Sequence, residues 1–179
     1  MAGTYHGNVI FAEGGLGSVS GTVATLPAGA AMGMERWHDG KMYRLFCNAS
    51  NQTLAKGAGF ARSAGSAAGG VGPYSVTVTT TTESLTGVAG ACEHATVSTA
   101  NYFWGVVWGH PVALLQSNIS VATDAYVTPA ADGKFTLTTT ASHKVALNMG
   151  DSSTGTATTD AVSGRFFVFF ENRPAGLAT

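Results

Sequence analysis

The sequence predicts an all-β protein: an antiparallel β-sandwich or barrel, jelly-roll-like, with an extended Gly/Ala-rich N-terminal arm. Three observations carry this prediction. Apolar and polar residues alternate with a period of two in several short stretches, most plainly from Tyr74 to Thr82, where Val76 and Val78 alternate with Ser75, Thr77 and Thr79. Turn-forming residues recur at intervals of roughly 8–12 residues, the spacing of sandwich and barrel strands. No apolar run at helical spacing lasts beyond about two turns, and the helix formers Glu, Lys, Gln and Arg are scarce.

In chain order, residues 1–33 are rich in Gly and Ala and hold few large apolar side chains beyond Val9-Ile10-Phe11 and the alternating Val19 to Val23. Too little apolar surface is present to offset the entropy of ordering them, so a weakly structured arm is expected that can order against a partner. Residues 34–179 are read as a single all-β domain. Asp39-Gly40 lies between Met34–His38 and Lys41–Cys47, and Asp-Gly supplies the positive φ angles of a two-residue hairpin turn. Residues 57–72 contain six glycines and one aromatic, Phe60, and are expected to form a Gly-rich loop or flap. After Tyr74 to Thr82, shorter strands are expected at Leu85 to Ala91 and Ala95 to Val97. Tyr102 to Trp108 and Val112 to Gln116 are richer in large side chains and belong at the centre of the core, with Gly109-His110-Pro111 as the break between them. Asp132-Gly133 marks a second hairpin between Ala125–Val127 and Lys134–Thr138. His143 to Asn148 and the Phe-rich Arg165 to Glu171 complete the strands, with an exposed loop between them at 150–159.

Length and charge exclude several classes. At 179 residues one domain is the simplest arrangement. Nine Lys+Arg against ten Asp+Glu leave a net charge of −1, so no nucleic-acid partner is expected, because neutralising phosphates needs a basic surplus. No stretch approaches 18 uninterrupted apolar residues, so no membrane partner is expected. Met1 to His6 has neither a basic lead nor an apolar run, which predicts no export signal and a protein that stays where it is made or leaves by a route other than secretion. On that reading Asn48, Asn51 and Asn118 match the glycosylation pattern by chance, and Cys47 and Cys92 are two small buried thiols. The charged fraction is only 11%, against about a quarter in ordinary soluble domains. Surface that carries so little charge is suited to being covered by neighbours.

No catalytic, cofactor-binding or metal-binding constellation is found. The five histidines, His6, His38, His94, His110 and His143, lie at least 16 residues apart and form no pair on one element. In Gly17-Ser18-Val19-Ser20-Gly21 neither serine has the spacing of a nucleophile elbow. Gly15-Leu16-Gly17 and Gly57-Ala58-Gly59 lack the companions a phosphate loop needs. The ten carboxylates are isolated. The sequence therefore predicts no enzyme.

The aromatics are more informative. Trp37, Phe60, Tyr102, Trp104 and Trp108 are the candidate subunit-contact residues, because aromatics are favoured at interface centres. Strict alternation puts Trp104 and Trp108 on the same strand face. Core filling is the competing role for the same residues.

Two blocks carry a family resemblance. Asp39-Gly40-Lys41-Met42-Tyr43-Arg44-Leu45-Phe46 with Leu54-Ala55-Lys56-Gly57 opens the first, and Thr99-Ala100-Asn101-Tyr102-Phe103-Trp104-Gly105-Val106-Val107-Trp108-Gly109-His110-Pro111-Val112-Ala113-Leu114-Leu115 followed by Val121 to Gly133 forms the second. Together, over roughly residues 39–133, they resemble the cement or decoration proteins of tailed-bacteriophage heads. The resemblance implies a non-enzymatic virion protein on the outer surface of a phage capsid, where it bridges major capsid protein subunits and resists the pressure of packaged DNA. It also implies neighbouring copies of the chain as partners, in a homo-oligomer such as a dimer or trimer. The alternative is a virion tail or surface adhesin that recognises a host glycan through exposed aromatic platforms.

Overall fold

A computed structural model of the chain describes residues 21–26, 28–62, 74–79, 88–93, 96–117, 119–122, 124–138, 146–148, 153–154, 161–163 and 166–169. Their strands are β1 (Thr22–Val23), β2 (Glu35–His38), β3 (Lys41–Asn48), β4 (Leu54–Ala55), β5 (Gly59–Arg62), β6 (Ser75–Val78), β7 (Val88–Ala91), β8 (Thr96–Val97) and β9 (Tyr102–Gly109). They continue as β10 (Ala113–Leu115), β11 (Ser120–Val121), β12 (Tyr126–Pro129), β13 (Phe135–Leu137), β14 (Ala146–Asn148), β15 (Ser153–Thr154), β16 (Ala161–Ser163) and β17 (Phe166–Phe169). The fold is all-β, and it takes the barrel form.

Both Asp-Gly turns form. Asp39 and Gly40 take φ of 49° and 70°, the paired positive angles of the mirror-image turn whose twist matches its strands, and β2 pairs antiparallel with β3 from His38↔Lys41 to Glu35↔Arg44. Asp132 and Gly133 also take positive φ, 57° and 73°, within a single 3-10 turn over Ala131–Gly133, and Pro129 pairs with Phe135 across it. That loop is longer than two residues.

Five strands close a ring in the order β9-β7-β5-β6-β3 and back to β9. An odd ring cannot alternate strand direction all the way round, so one neighbouring pair must run parallel. That pair is β3–β6, with Cys47↔Ser75 and Asn48↔Val76. The two sequence blocks that carry the family resemblance place β3 and β9 side by side over Met42–Cys47 and Tyr102–Trp108.

The ring is filled by Phe46, Leu54, Phe60, Val76, Val78, Val97, Phe103 and Val107. Phe60 is at its centre with no exposed surface, edge-on to Phe46 at 5.0 Å and to Phe103 at 5.3 Å between ring centroids. This corrects the expectation of a loop over 57–72: residues 59–62 are β5, a barrel strand, while 63–72 lie outside the described residues. The reason is packing. A Cβ on Gly90 or Gly105 would stand 2.6 Å or 2.4 Å from the tip of the Phe60 ring, so glycines on the neighbouring strands make the room that this side chain occupies. Gly-rich composition signals turns, and here it also serves a crowded barrel interior.

Where β3 and β9 run beyond the ring, the same sheet continues outward. Among the described residues it ends on one side at β2; on the other it passes through β17, β14, β12, β13 and β10 to β16. A second core of Ala113, Leu115, Val121, Val127 and Phe135 lies with these later strands. A third cluster, Tyr43, Leu45, Trp104 and Val106, is on the outer face of β3 and β9 and is covered by Val23, Leu26, Ala30 and Met34. Part of the segment expected to be a weakly structured arm is thus a strap, tied by β1 to β9 through Thr22↔Phe103 and Val23↔Tyr102. Residues 1–20 lie outside the described residues.

Candidate functional site

The five candidate contact residues separate into two groups. Phe60 and Trp104 are 0% and 1% exposed and pack within the chain itself, Phe60 inside the ring and Trp104 under the strap, so neither offers an open surface to another subunit in this arrangement. Tyr102 is half-buried at the strap's edge, and Trp108 is half-buried at the far end of β9. Trp37, by contrast, is 58% exposed.

A bulge explains the separation. Trp104 pairs with Leu45, and strict pairing would keep Trp108 on that face too. The register shifts between Met42 and Tyr43, so that Tyr43 faces Val106 while Met42 faces Trp108. Val107 is the extra residue, and it reverses the parity of the positions after it. Trp104 therefore shares the outer face with Leu45 and Val106, whereas Trp108 turns to the face of Met42, which packs against the barrel core. The expectation of one shared face is corrected on this ground.

On that opposite face, Trp37, Met42 and Trp108 occupy one register row across β2, β3 and β9. The Trp37 and Trp108 rings meet edge-to-face, with centroids 5.3 Å apart at 61°. An edge-to-face pair with one ring open is a rigid aromatic surface with little entropy left to lose on contact. Among the described residues it sits on the last strand of the sheet, which carries Glu35, Arg36 and His38 around the tryptophan. Charges on a short terminal strand discourage indiscriminate strand-to-strand association, so the exposed Trp is held on an otherwise guarded edge.

The hairpin that presents Trp37 is pinned from two sides. Lys41 Nζ donates to both Glu93 oxygens, at 2.8 and 3.0 Å, and the Tyr43 hydroxyl donates to Glu93 Oε2 at 2.6 Å. Burial of Tyr43, reinforced by the Glu93 carboxylate that accepts the phenol's hydrogen bond, pushes the phenol well above its ordinary value of 10.0. Arg44 donates to Glu35 across the β2–β3 pair, and its guanidinium lies 5.9 Å from the centroid of the Tyr74 ring. The Glu93 cluster joins residues some fifty positions apart, and no sequence signal marks it.

Other candidates stay dispersed. His38 and His110 are exposed, and His6, His94 and His143 lie outside the described residues. Among the described residues no three His, Cys, Asp or Glu side chains gather as a metal site would require. Cys47 and Cys92 are both buried and neither is in a disulfide; burial raises the Cys47 thiol. Asn48 is fully buried, its amide bonded to the carbonyls of Gln52 and Val97, so it is closed to glycosylation in the folded chain. No helix of the described residues is long and apolar enough to cross a membrane.

Comparison of the chain with protein-family models, curated proteins and solved structures gave no match.

Proposed function

We propose that this chain is a non-enzymatic structural virion protein that binds the outer surface of a phage capsid and stabilises it by bridging major capsid protein subunits. The observation that carries the reading is the Trp37–Trp108 pair, whose Trp37 ring is open on β2 beside the barrel strands β3 and β9, in a chain with 11% charged residues. Tryptophan is among the residues that dominate contact energies when covered by a partner, and an exposed one braced by a second ring is ready for that role. The resemblance of residues 39–133 to head cement proteins supplies the kind of partner. A net charge of −1 lets identical copies crowd a lattice with little mutual repulsion. Each copy would bury on the order of 1,000 Å² against the lattice and its siblings. Repetition then multiplies a modest single contact.

The test is direct. Purified protein is added to emptied, matured phage heads, and binding stoichiometry and heat resistance of the heads are measured. Saturable binding at a fixed copy number, with heads that survive a higher temperature, supports the reading. Binding to cell-surface polysaccharide with none to heads overturns it in favour of an adhesin, for which the open face of Trp37 is the platform.

A further inference from the structure

The strap over the third core defines its own replacement. Tyr43, Leu45, Trp104 and Val106 form an apolar socket that is sealed in the folded chain by Val23, Leu26, Ala30 and Met34. Left empty, the socket would expose a tryptophan, a tyrosine and two aliphatic side chains together, an apolar patch that folded monomers avoid. Among the described residues the strap meets the barrel backbone at two places. Its ladder to the barrel is the two-residue pairing of β1 with β9, and nearer the hairpin Gly33 N donates to Leu45 O at 2.8 Å while Met34 O accepts from Leu45 N at 2.9 Å. Val23, Leu26, Ala30 and Met34 add side-chain burial to these bonds, and an identical segment can supply the same burial.

The strap also has a hinge. Between Leu26 and β2 the chain turns on Gly29 and Gly33, with φ of 84° and 87°. Met34 N closes the second turn on Ala31 O at 3.2 Å. Gly33 is doubly constrained, since a Cβ there would stand 2.4 Å from the Tyr74 ring in addition to the strain of a positive φ.

We propose that the segment before the Gly33 turn, residues 21–26 and 28–32 of the described chain, is an exchangeable strap, and that the Val23, Leu26 and Ala30 cover of the Tyr43/Leu45/Trp104/Val106 socket of one copy is supplied by a neighbouring copy when copies stand side by side. The side-by-side setting rests on the capsid-lattice reading above. The occupant is fixed by the socket, because the same segment in trans rebuilds the side-chain packing that the chain's own strap gives up on leaving, and only the hinge changes conformation. Exchange of this kind links copies to one another without any new surface.

The experiment uses the full chain with Val23→Cys and Tyr102→Cys, which are register partners on β1 and β9, in a Cys47→Ala background because Cys47 is the partner of Tyr102 on β3. Directly paired antiparallel positions lie within disulfide reach. Oxidation and then a non-reducing gel read which copy supplied the strap. Exchange predicts covalent dimers or longer ladders whose fraction rises with concentration, and at least a tenfold rise in that fraction when Gly33→Ala blocks the closed turn. Monomers with an internal bond at every concentration, with or without Gly33→Ala, overturn the proposal. Gly33→Ala alone, monitored by light scattering, keeps the test available if the cysteine variant does not fold: a shift from monomer to dimer supports exchange, and an unchanged monomer refutes it. Neither readout involves heads, so failure here leaves the capsid reading intact, and failure of head binding leaves exchange measurable in solution.

Discussion

Trp104 and Trp108 stand four residues apart on β9 and lead different lives. Trp104 is sealed beneath a strap of its own chain, where its cluster packs against Val23, Leu26, Ala30 and Met34. Trp108 emerges on the other face, beside Met42 and against the open ring of Trp37. One bulged residue, Val107, makes the difference. A strand's aromatic content thus shows neither which face a residue serves nor whether its partner is the same chain or another. That is settled by where the ladder slips.

Substitutions on the two faces must therefore fail in different ways. Trp104→Ala has the largest effect: it empties part of a sealed core, which costs about 3–5 kcal/mol. Chemical denaturation is expected to show a chain largely unfolded or insoluble. A folded, soluble Trp104→Ala protein deficient only in assembly would erase the distinction between the two tryptophans. Gly105→Ala comes next, because its Cβ would press on the Phe60 ring inside the barrel at 2.4 Å. The expected loss is roughly 1–3 kcal/mol in denaturation experiments, with secondary structure kept in the circular dichroism spectrum.

Tyr43→Phe probes the root of the hairpin. Removal of the hydroxyl that donates to Glu93 is expected to cost on the order of 1–2 kcal/mol near neutral pH. The pH dependence has a definite sign. The folded phenol ionises above its ordinary value of 10.0, so its stabilisation is complete below that value and is lost as pH rises through the raised one. Denaturation midpoints above pH 10 are therefore expected to fall more steeply for the native chain than for Tyr43→Phe. Parallel curves would show that the Tyr43–Glu93 hydrogen bond does not hold the hairpin. The smallest effect on stability belongs to Trp37→Ala, no more than about 1 kcal/mol, because the ring is mostly open and gives up chiefly its edge contact with Trp108. Among the variants that stay folded, its effect on head binding is expected to be the largest.

Much of the fold was legible in the residues. Asp39-Gly40 and Asp132-Gly133 announce their turns because few dipeptides tolerate two positive φ angles, and the aromatic run from Tyr102 to Trp108 is a strand by composition alone. β5 was hidden because Gly59-Phe60-Ala61 shows no alternation, and because the glycines that admit Phe60 are contributed by other strands. The strap was hidden because Val23, Leu26, Ala30 and Met34 are spaced irregularly and gain their meaning from a socket formed by β3 and β9. At the site, Trp37 and Trp108 could be nominated by residue type. Their meeting could not, since it depends on the Asp39-Gly40 hairpin, the β3–β9 register and the bulge acting together. The Lys41–Glu93–Tyr43 cluster left no trace in sequence because its members are joined only by tertiary proximity.

The capsid reading stands on the Trp37 face being a contact between molecules. Hydroxyl-radical footprinting of the tryptophans, on the free protein and on protein bound at saturation to emptied heads, puts that to the test. Oxidation of Trp37 is predicted to fall several-fold on binding, while Trp104, sealed in either state, reacts little in both. Equal labelling of Trp37 in free and head-bound protein would show that the capsid lies elsewhere.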